Sequence, residues 1–276
     1  MSATSWADRG AEKAPGRPGN TLAGLRVQLR VIHALLLREM QTRFGRSRIG
    51  ILALFLEPLA FAGMIAFMRS SIGIGHSVPG VSMFVFALVS YLPFFTFRAI
   101  VSRAPGTVRS NVTLLYHAPI RLLDVVLARH ALEAAAVFSV MAFVVIALAI
   151  WADAPPHSIP ALALGLLLLF LYSHGLGLCA AAAAAVSRIA AALIHPLLFL
   201  SLPLSGVLIA VHMLDPAIQE VLLWNPQVHI HELVREGFFG DKVPCYFDIG
   251  YLAFWVGVFN LLGLAALRVV RPRLEL

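Results

Sequence analysis

Six long apolar stretches, separated by shorter polar segments, dominate the pattern of this 276-residue chain. They cover residues 49–68, 81–100, 131–151, 160–185, 189–211 and 249–267. A helix rises about 1.5 Å per residue, so roughly 20 apolar residues cross the hydrocarbon core of a bilayer. The pattern therefore predicts six transmembrane helices, with both ends of the chain on the same side of the membrane.

A segment with amphipathic helical periodicity precedes the first apolar stretch. Between residues 25 and 36, Leu and Ile recur every three to four positions, while Arg26, Arg30 and His33 share the other face. This indicates an amphipathic helix that lies along the membrane interface and continues to residue 48. The Gly- and Pro-rich residues before it predict a flexible tail. The chain thus divides into a tail (1–24), an interfacial helix (25–48) and a six-span domain (49–276).

The composition excludes other classes of protein. Hydrophobic residues make up 60% of the chain and charged residues 13%, against about 45–50% and 25% in soluble domains. Disorder is excluded by the same numbers, because disordered chains are poor in large aliphatic residues. We therefore expect an all-α integral membrane protein.

Basic residues are distributed unevenly about the six predicted spans. Eighteen of the 21 Lys and Arg residues fall on the side that holds the two termini, and the other three are Arg69, Arg235 and Lys242. Cytoplasmic loops carry such an excess of positive charge, so both termini are expected in the cytoplasm. The net charge of +7 then requires no nucleic-acid partner.

The polar segment 212–248, between spans five and six, contains helix signals. Asp215-Pro216 and Asn225-Pro226 each place Pro in a first helical turn, and helical spacing follows the first of them. Two short re-entrant helices that dip into the outer leaflet and cap the space between the spans fit this pattern. Anchoring in lipid without a gating role fits it equally well.

Catalytic and metal-binding signals are weak. The chain lacks the Gly-x-x-x-x-Gly-Lys-Ser/Thr loop that binds nucleotide phosphates. Glu57, His174 and His195 are the ionisable residues deep within spans, and an intramembrane enzyme that uses one of them as acid or base is a disfavoured alternative. His229 and His231 are types that bind zinc, but His-x-His spacing separates the rings by about 200° on a helix. A solvated loop face that includes Glu232 is the favoured interpretation, and no metal site is expected.

Polar residues within spans one and five are candidates for a translocation path. Glu57 lies about 12 Å along the first span, where a carboxylate is costly unless it faces protein or water. Ser201 and Ser205 lie one helical turn apart on a span that contains two prolines. For each of these residues, a structural role in bonding within a helix or between helices is as well supported as a role in lining the path. The small residues of span four, from Gly175 to Ala185, predict close helix packing.

Two blocks of sequence carry a family resemblance. The run LREMQTRFGRSRIG at residues 37–50, followed by Glu57-Pro58, resembles the entry motif of ABC-2 type transport permeases. The closest branch is the one that exports capsular polysaccharide (KpsM-type). Residues 109–124 resemble that branch's cytoplasmic loop between spans two and three, and Asn225-Pro226 falls where the family has its external re-entrant helices. The resemblance covers nearly the whole chain from Leu25 onward.

The resemblance implies a six-span permease that forms a homodimer in the bacterial inner membrane, bound to two copies of a separate ABC ATPase. ATP and Mg are bound by that ATPase, so the permease chain needs no cofactor. The implied cargo is a lipid-linked acidic polysaccharide, passed on to periplasmic and outer-membrane export components. Export of an O-antigen-like or teichoic-acid-like glycan, or of a drug, remains an alternative within the family, and a purely structural scaffold remains one outside it.

Carried over by position, the resemblance assigns residues to four sites. The cytoplasmic entrance on the interfacial gate helix holds Arg38, Arg43, Arg46 and Arg48, which face either the polyanionic cargo or anionic lipid. The translocation path candidates are Phe55, Glu57, Phe61, Ser201 and Ser205. The ATPase docking residues are Arg109, Asn111, Leu114, Leu115, Tyr116 and Asp124. The external gate residues are Trp224, Asn225 and Pro226.

Overall fold

The computed structural model describes residues 21–44, 56, 58–65, 67–68, 71, 80–111 and 121–273. In this part of the chain all regular structure is helical. The first five long helices are α1 (Thr21–Phe44), α2 (Met83–Arg109), α3 (Leu122–Trp151), α4 (Ile159–Val186) and α5 (Arg188–Leu204). Residues 58–65 are also helical, and we call them the first-span segment.

Short helices fill the connection between α5 and the last long helix. A 3₁₀ turn (Val211–Met213) is followed by α6 (Pro216–Leu222), α7 (Pro226–Phe239) and a second 3₁₀ turn (Gly240–Lys242), and α8 covers Ile249–Val270 before a last 3₁₀ turn at Arg271–Arg273. The helices α6 and α7 both begin at the proline that the sequence signals, because a first turn leaves backbone N–H groups unbonded in any case.

Four helices of the described chain are long and apolar enough to cross a membrane, namely α2, α3, α4 and α8. They correspond to the second, third, fourth and sixth predicted spans. The helix α5 has 17 residues and ends at Leu204, short of the predicted end at residue 211. Nine of the 20 residues of the first predicted span, namely 49–55, 57 and 66, lie outside the described residues. The count of six spans and the membrane depth of α6 and α7 therefore stay predictions.

The early end of α5 has a local cause. Gly206 adopts φ +71°, a conformation that residues with a Cβ rarely take, and Pro203 has no backbone N–H to continue the helix. The carbonyls of Gly206 and Val207 accept hydrogen bonds from the guanidinium of Arg235 on α7. These carbonyl groups, which the turn leaves without helical hydrogen bonds, are therefore bonded inside the protein.

The centre of the bundle is formed by α2 and α4. Residues 85–97 of α2 are buried without interruption, and α4 packs against α2, α7 and α8. A Cβ added to Gly263 of α8 would lie 2.5 Å from Cβ of Leu178 and 2.9 Å from the carbonyl oxygen of Gly175. The small residues of α4 therefore allow close approach of α8, which confirms their predicted packing role.

The aromatic residues of α2 fill this core. Tyr91, Phe94 and Phe97 are buried, and their rings contact one another with centroids about 6 Å apart: 6.1 Å for Tyr91 and Phe94, and 5.9 Å for Phe94 and Phe97. The outer faces of α3, α5 and α8 instead expose large aliphatic side chains, such as Ile150, Leu197 and Leu261. Such faces suit the hydrocarbon of a bilayer, where burial against protein is not required.

Candidate functional site

A cavity of about 450 Å³ opens between the first-span segment, α2 and α5. Each helix contributes residues three, four or seven positions apart, which lie on one face. The lining consists of Phe61, Met64 and Ile65, of Tyr91, Phe94, Arg98 and Ser102, and of His195, Leu198, Phe199 and Leu202. The wall is largely apolar, and its polar groups are one guanidinium, one imidazole and the two hydroxyls of Tyr91 and Ser102. We call it the Arg98 cavity.

Arg98 supplies the positive charge of this cavity. Its guanidinium carbon lies 5.6 Å from the ring centroids of both Phe61 and Phe95, within the range of cation–π attraction. In the described part of the chain this guanidinium makes no hydrogen bond or ion pair. Arg103, further along α2, instead donates two bonds of 2.5 and 2.6 Å to Glu133 of α3. Arg98 therefore retains its donors for a ligand.

Phe61 of the first-span segment forms an aromatic wall of the cavity together with Tyr91 of α2. Its ring is stacked on that of Tyr91, with centroids 6.2 Å apart and planes inclined by 12°, and 38% of the residue remains exposed. Phe61 is thus a predicted path residue that faces an open space. Its part in transport stays a prediction.

Of the other path candidates, the two that the structure describes, Ser201 and Ser205, do not line the cavity. Ser201 and Ser205 donate their hydroxyls to the carbonyl oxygens of Leu198 and Leu202, each over 2.7 Å. This is the bonding that a structural role for these serines requires, and a path role for them stays a prediction. Phe55 and Glu57 lie outside the described residues.

Helix α1, which contains most of the predicted interfacial helix, is bonded at two points to residues predicted for ATPase docking. Arg38 Nη1 donates to Asn111 Oδ1 over 3.0 Å, and Gln28 Nε2 donates to Asp124 Oδ1. Between these bonds Leu35 packs against Val125 and Ala128 of α3. Asn111 and Asp124 are both buried, so their side chains hold α1 in place rather than forming an open surface.

The remaining entrance and docking candidates are described incompletely. Arg43 and Arg109 belong to the ends of α1 and α2, but their side chains lie outside the described structure. The same holds for whole residues in both groups: Arg46, Arg48, Leu114, Leu115 and Tyr116.

The predicted external gate residues join three helices. Asn225 accepts a hydrogen bond from the backbone N–H of Gln227 over 3.0 Å and donates its amide to the carbonyl of Leu204 over 2.8 Å. The hydroxyl of Tyr251 on α8 donates to the carbonyl of Trp224 over 2.7 Å. Pro226 is buried, whereas 79% of Trp224 is exposed. The end of α5 and the starts of α7 and α8 are therefore tied together at this corner.

The expectation of a solvated face at His229, His231 and Glu232 is wrong, because all three are buried on α7. Arg235 compensates the buried charge of Glu232: it is 0% exposed and donates to Glu232, to Ser90 Oγ over 3.0 Å and to the carbonyl of Gly206. Glu232 also accepts from two backbone N–H groups. A buried charge is tolerated when a partner and hydrogen bonds replace water, and here both ions have them.

His231 lies beside this ion pair, and neither of its ring nitrogens has a hydrogen-bond partner among the residues that the structure describes. Its burial, and secondly the charge of Arg235, hold its pKa well below the usual value of 6.5. Within the described residues, no three His, Cys, Asp or Glu side chains come together as metal ligands.

The deep histidines lie in different surroundings. His174 belongs to the bundle core, where its Nδ1 lies 2.9 Å from Nδ1 of His130 on α3, so one ring donates and the other accepts. His195 instead lines the Arg98 cavity. The third residue of the enzyme alternative, Glu57, is outside the described chain.

Sequence reasoning missed Arg98 as a site residue, although a signal for it exists. Arg98 lies inside the apolar stretch 81–100, and an ionisable residue within a span is by itself a functional hypothesis. The contacts of His130 and Glu133 have no comparable signal, because their partners lie on other helices. Arg235 has an ion-pair partner on its own helix, but its bonds to Ser90 and Gly206 also reach distant segments.

Comparison with known proteins identifies the family. The chain matches the ABC-2 type transporter family over residues 30–239. It is 34% identical to the capsule polysaccharide export inner-membrane protein BexB of Haemophilus influenzae, over 88% of this chain and 92% of that protein. It is 37% identical to the capsule polysaccharide export inner-membrane protein CtrC of Neisseria meningitidis serogroup B, over 87% and 91%. It is 30% identical to the polysialic acid transport protein KpsM of Escherichia coli, over 89% and 95%. The chain therefore belongs to the ABC-2 type transporter family and is a component of a transporter rather than an enzyme.

Proposed function

We propose that this chain is the permease subunit of an ATP-driven exporter that moves capsular polysaccharide from the cytoplasm across the bacterial inner membrane. The observation that carries the proposal is the similarity, over about nine-tenths of both chains, to inner-membrane proteins named for capsule polysaccharide export. The described helices supply a membrane-embedded bundle for this role, and the lack of a phosphate-binding loop in the sequence leaves ATP hydrolysis to another subunit.

The cargo is a lipid-linked acidic polysaccharide, and the Arg98 cavity has the charge to meet it. Arg98 lies 11 residues before the end of α2, and His195 lies seven residues after the start of α5, which are roughly 16 Å and 10 Å of helix. The distribution of Lys and Arg assigns both of these helix ends to the cytoplasmic side. The cavity then lies in the cytoplasmic half of the domain, where cargo enters.

The working assembly is a homodimer of this chain with two copies of an ABC ATPase that binds ATP and Mg. The loop between α2 and α3 is the docking surface, with Leu114, Leu115 and Tyr116 in its middle. Asn111 and Asp124 at its two ends are bonded to α1, so movement of the docked ATPase reaches the interfacial helix. Periplasmic and outer-membrane components carry the polysaccharide onward.

Deletion and complementation test the proposal. Cells that lack the chain are expected to lose surface capsule and to accumulate acidic polysaccharide inside, as measured by uronic-acid or sialic-acid assay of cell fractions. Wild-type chain restores export, and it co-purifies with an ABC ATPase. Retention of a different glycan, such as O-antigen, with normal capsule would contradict the assignment of cargo.

A docking variant tests the partner separately. Leu114→Asp together with Leu115→Asp is expected to abolish co-purification of the ATPase while the chain still reaches the membrane. Unchanged co-purification would remove this loop from the docking role.

Charge reversal tests the entrance. Arg43→Glu together with Arg46→Glu is expected to reduce export of an acidic glycan more than it reduces assembly with the ATPase. An equal loss of export and assembly would indicate lipid anchoring by these arginines instead.

A further inference from the structure

We infer that the Arg98 cavity is a binding site for a sugar ring that carries an oxyanion, with Arg98 as its anion-binding residue. This inference rests on the proposed function and names the chemical class of ligand that the site takes. It depends on three properties of the cavity: a cation without a hydrogen-bond or ion-pair partner among the described residues, an aromatic wall, and additional donors around a space of suitable size.

The cation is the first property. The guanidinium of Arg98 lies over the rings of Phe61 and Phe95, and such contacts use none of its N–H···O hydrogen-bonding capacity, so its N–H groups are left for a ligand. A guanidinium edge matches a carboxylate or a phosphodiester, because two parallel N–H···O bonds form at once. Arg103 does not offer its donors in this way, because its Nη1 is already bonded to the carboxylate of Glu133.

The aromatic wall is the second property. The stacked rings of Phe61 and Tyr91 give the cavity a flat side, and the apolar C–H face of a sugar ring packs well on such a surface. Phe61 is more than one-third exposed, so its ring is accessible from the cavity.

Additional donors and size are the third property. Ser102 lies one helical turn from Arg98, and His195 faces the cavity from α5. No hydrogen bond or ion pair to either side chain occurs within the described residues, so both remain available for sugar hydroxyls. The volume of about 450 Å³ falls within the roughly 300–1,000 Å³ typical of small-molecule sites. One or two sugar rings fit such a space. A polymer would therefore occupy it with one or two of its units at a time.

A phospholipid headgroup offers an oxyanion without the ring. A headgroup needs only a point charge. The cavity also offers polar donors on two helices and a flat aromatic wall, and these features favour the glycan. Binding of lipid is therefore treated as a contrary outcome of the test.

The test uses purified full-length chain in nanodiscs of phosphatidylcholine and three soluble probes with the same tail. Octyl β-D-glucuronide carries ring and anion, octyl β-D-glucoside carries the ring alone, and octyl phosphate carries the anion alone. Titration calorimetry is expected to show binding of the glucuronide about tenfold or more tighter than that of the glucoside, as a charge-assisted bond predicts. Octyl phosphate is expected to bind more weakly than the glucuronide.

Variants locate the binding. Arg98→Gln is expected to remove the preference for glucuronide over glucoside, and Phe61→Leu is expected to weaken both sugars by a similar factor. Arg188→Gln is the matched control, because it removes the same charge from an exposed position on α5 outside the cavity. Should Arg98→Gln fail to fold, the affinities of the three probes for the wild-type chain and for Phe61→Leu still test whether the cavity binds an anionic sugar ring.

Three results would overturn the inference: equal affinity of the wild-type chain for glucuronide and glucoside, an unchanged preference in Arg98→Gln, or octyl phosphate binding as tightly as the glucuronide. The last would assign the cavity to lipid headgroups. Capsule export by the wild-type chain is measured in parallel. Normal export with any of the three results rejects only the binding site, whereas absence of export rejects the proposed function whatever the probes show.

Discussion

Arg235 on α7 donates a hydrogen bond to the hydroxyl of Ser90 on α2 over 3.0 Å, although 145 positions separate the two residues in the sequence. The same guanidinium bonds Glu232 and the carbonyl of Gly206, and it lies 5.2 Å from the ring centroid of Phe86. The helix α7 is thereby fixed to the centre of the bundle and to the end of α5 by bonds that water cannot replace.

Loss of the Arg235 charge is expected to destabilise the chain strongly. Arg235→Met leaves Glu232 buried without its cation, and breaking a buried ion pair costs about 3–5 kcal/mol. The free energy of unfolding, measured by SDS titration of the purified chain in detergent micelles, should fall by that order. Glu236→Gln, on the same helix but partly exposed, is the control. A loss no greater than that of the control would show that the pair contributes little.

Stability is expected to decline as the pH falls below about 6.5, because of His231. Its pKa in the folded chain is held well below 6.5 by burial first and by Arg235 second, so the unfolded state takes up a proton that the folded state refuses. Above pH 6.5 the imidazole of His231 is neutral in both the folded and the unfolded state, so no stability is lost there. Below it, the loss approaches about 1.4 kcal/mol per pH unit.

The measurement is the free energy of unfolding between pH 7.5 and 5.5 for the wild-type chain and for His231→Leu. The variant is expected to show a shallower dependence on pH over this window. An identical slope in both proteins would assign the pH dependence to other groups.

A methyl group at position 263 is expected to separate α4 from α8. The Cβ of Gly263→Ala would meet Leu178 and the backbone of Gly175 at distances that no relaxed contact allows, and overpacking costs typically about 1–3 kcal/mol. Gly257→Ala on the same helix is a matched control, because no atom lies within 4 Å of its added Cβ. Thermal unfolding should show a lower midpoint for the first variant alone, and equal midpoints would contradict the close packing.

Arg38→Gln is expected to impair coupling without impairing ATPase binding. The substitution shortens the side chain and removes the charge that holds Asn111, so α1 loses one of its two bonds to the ends of the docking loop. ATP-dependent export should drop severalfold while co-purification of the ATPase is unchanged. Arg30→Gln removes an exposed charge from the same helix and should leave export intact. Equal behaviour of the two variants would deny Arg38 a role in transmission.

Cysteine labelling tests the proposed orientation in the membrane. A membrane-impermeant maleimide is expected to label Trp224→Cys in intact cells, and to label Arg26→Cys only after the cells are opened. The native Cys245 should react slowly, because its burial and secondly the nearby Glu232 raise the pKa of its thiol and thiolate is the reactive form. The reverse pattern of labelling would invert the topology.

The parts of the fold that the sequence predicts are those set by local pattern. The apolar stretches locate α2, α3, α4 and α8, and the prolines at 216 and 226 locate the starts of α6 and α7. These features depend on residues a few positions apart, which share one helix face or one helix end.

The failures depend on contacts between distant segments. His231 and Glu232 occur in a polar stretch, and their burial depends on how α7 packs against distant segments. Glu232 pairs with Arg235 on its own helix, but it also accepts hydrogen bonds from the backbone of Val211 and Tyr246. The end of α5 at Leu204 likewise depends on bonds from α7 to the carbonyls that follow it. The Arg98 cavity combines three helix faces whose periodicity is visible in the sequence, but their juxtaposition is not.

The two bonds of α1, from Gln28 to Asp124 and from Arg38 to Asn111, have a mechanical consequence. Their points of attachment are ten residues apart, about 15 Å along a helix, and they lie at opposite ends of one loop. A rod held at two separated points responds to unequal forces by rotating, not only by shifting. In the proposed assembly, an ATPase that pulled harder on one end of the loop than on the other would set the tilt of α1, and α1 would act as a lever whose angle follows the docked ATPase.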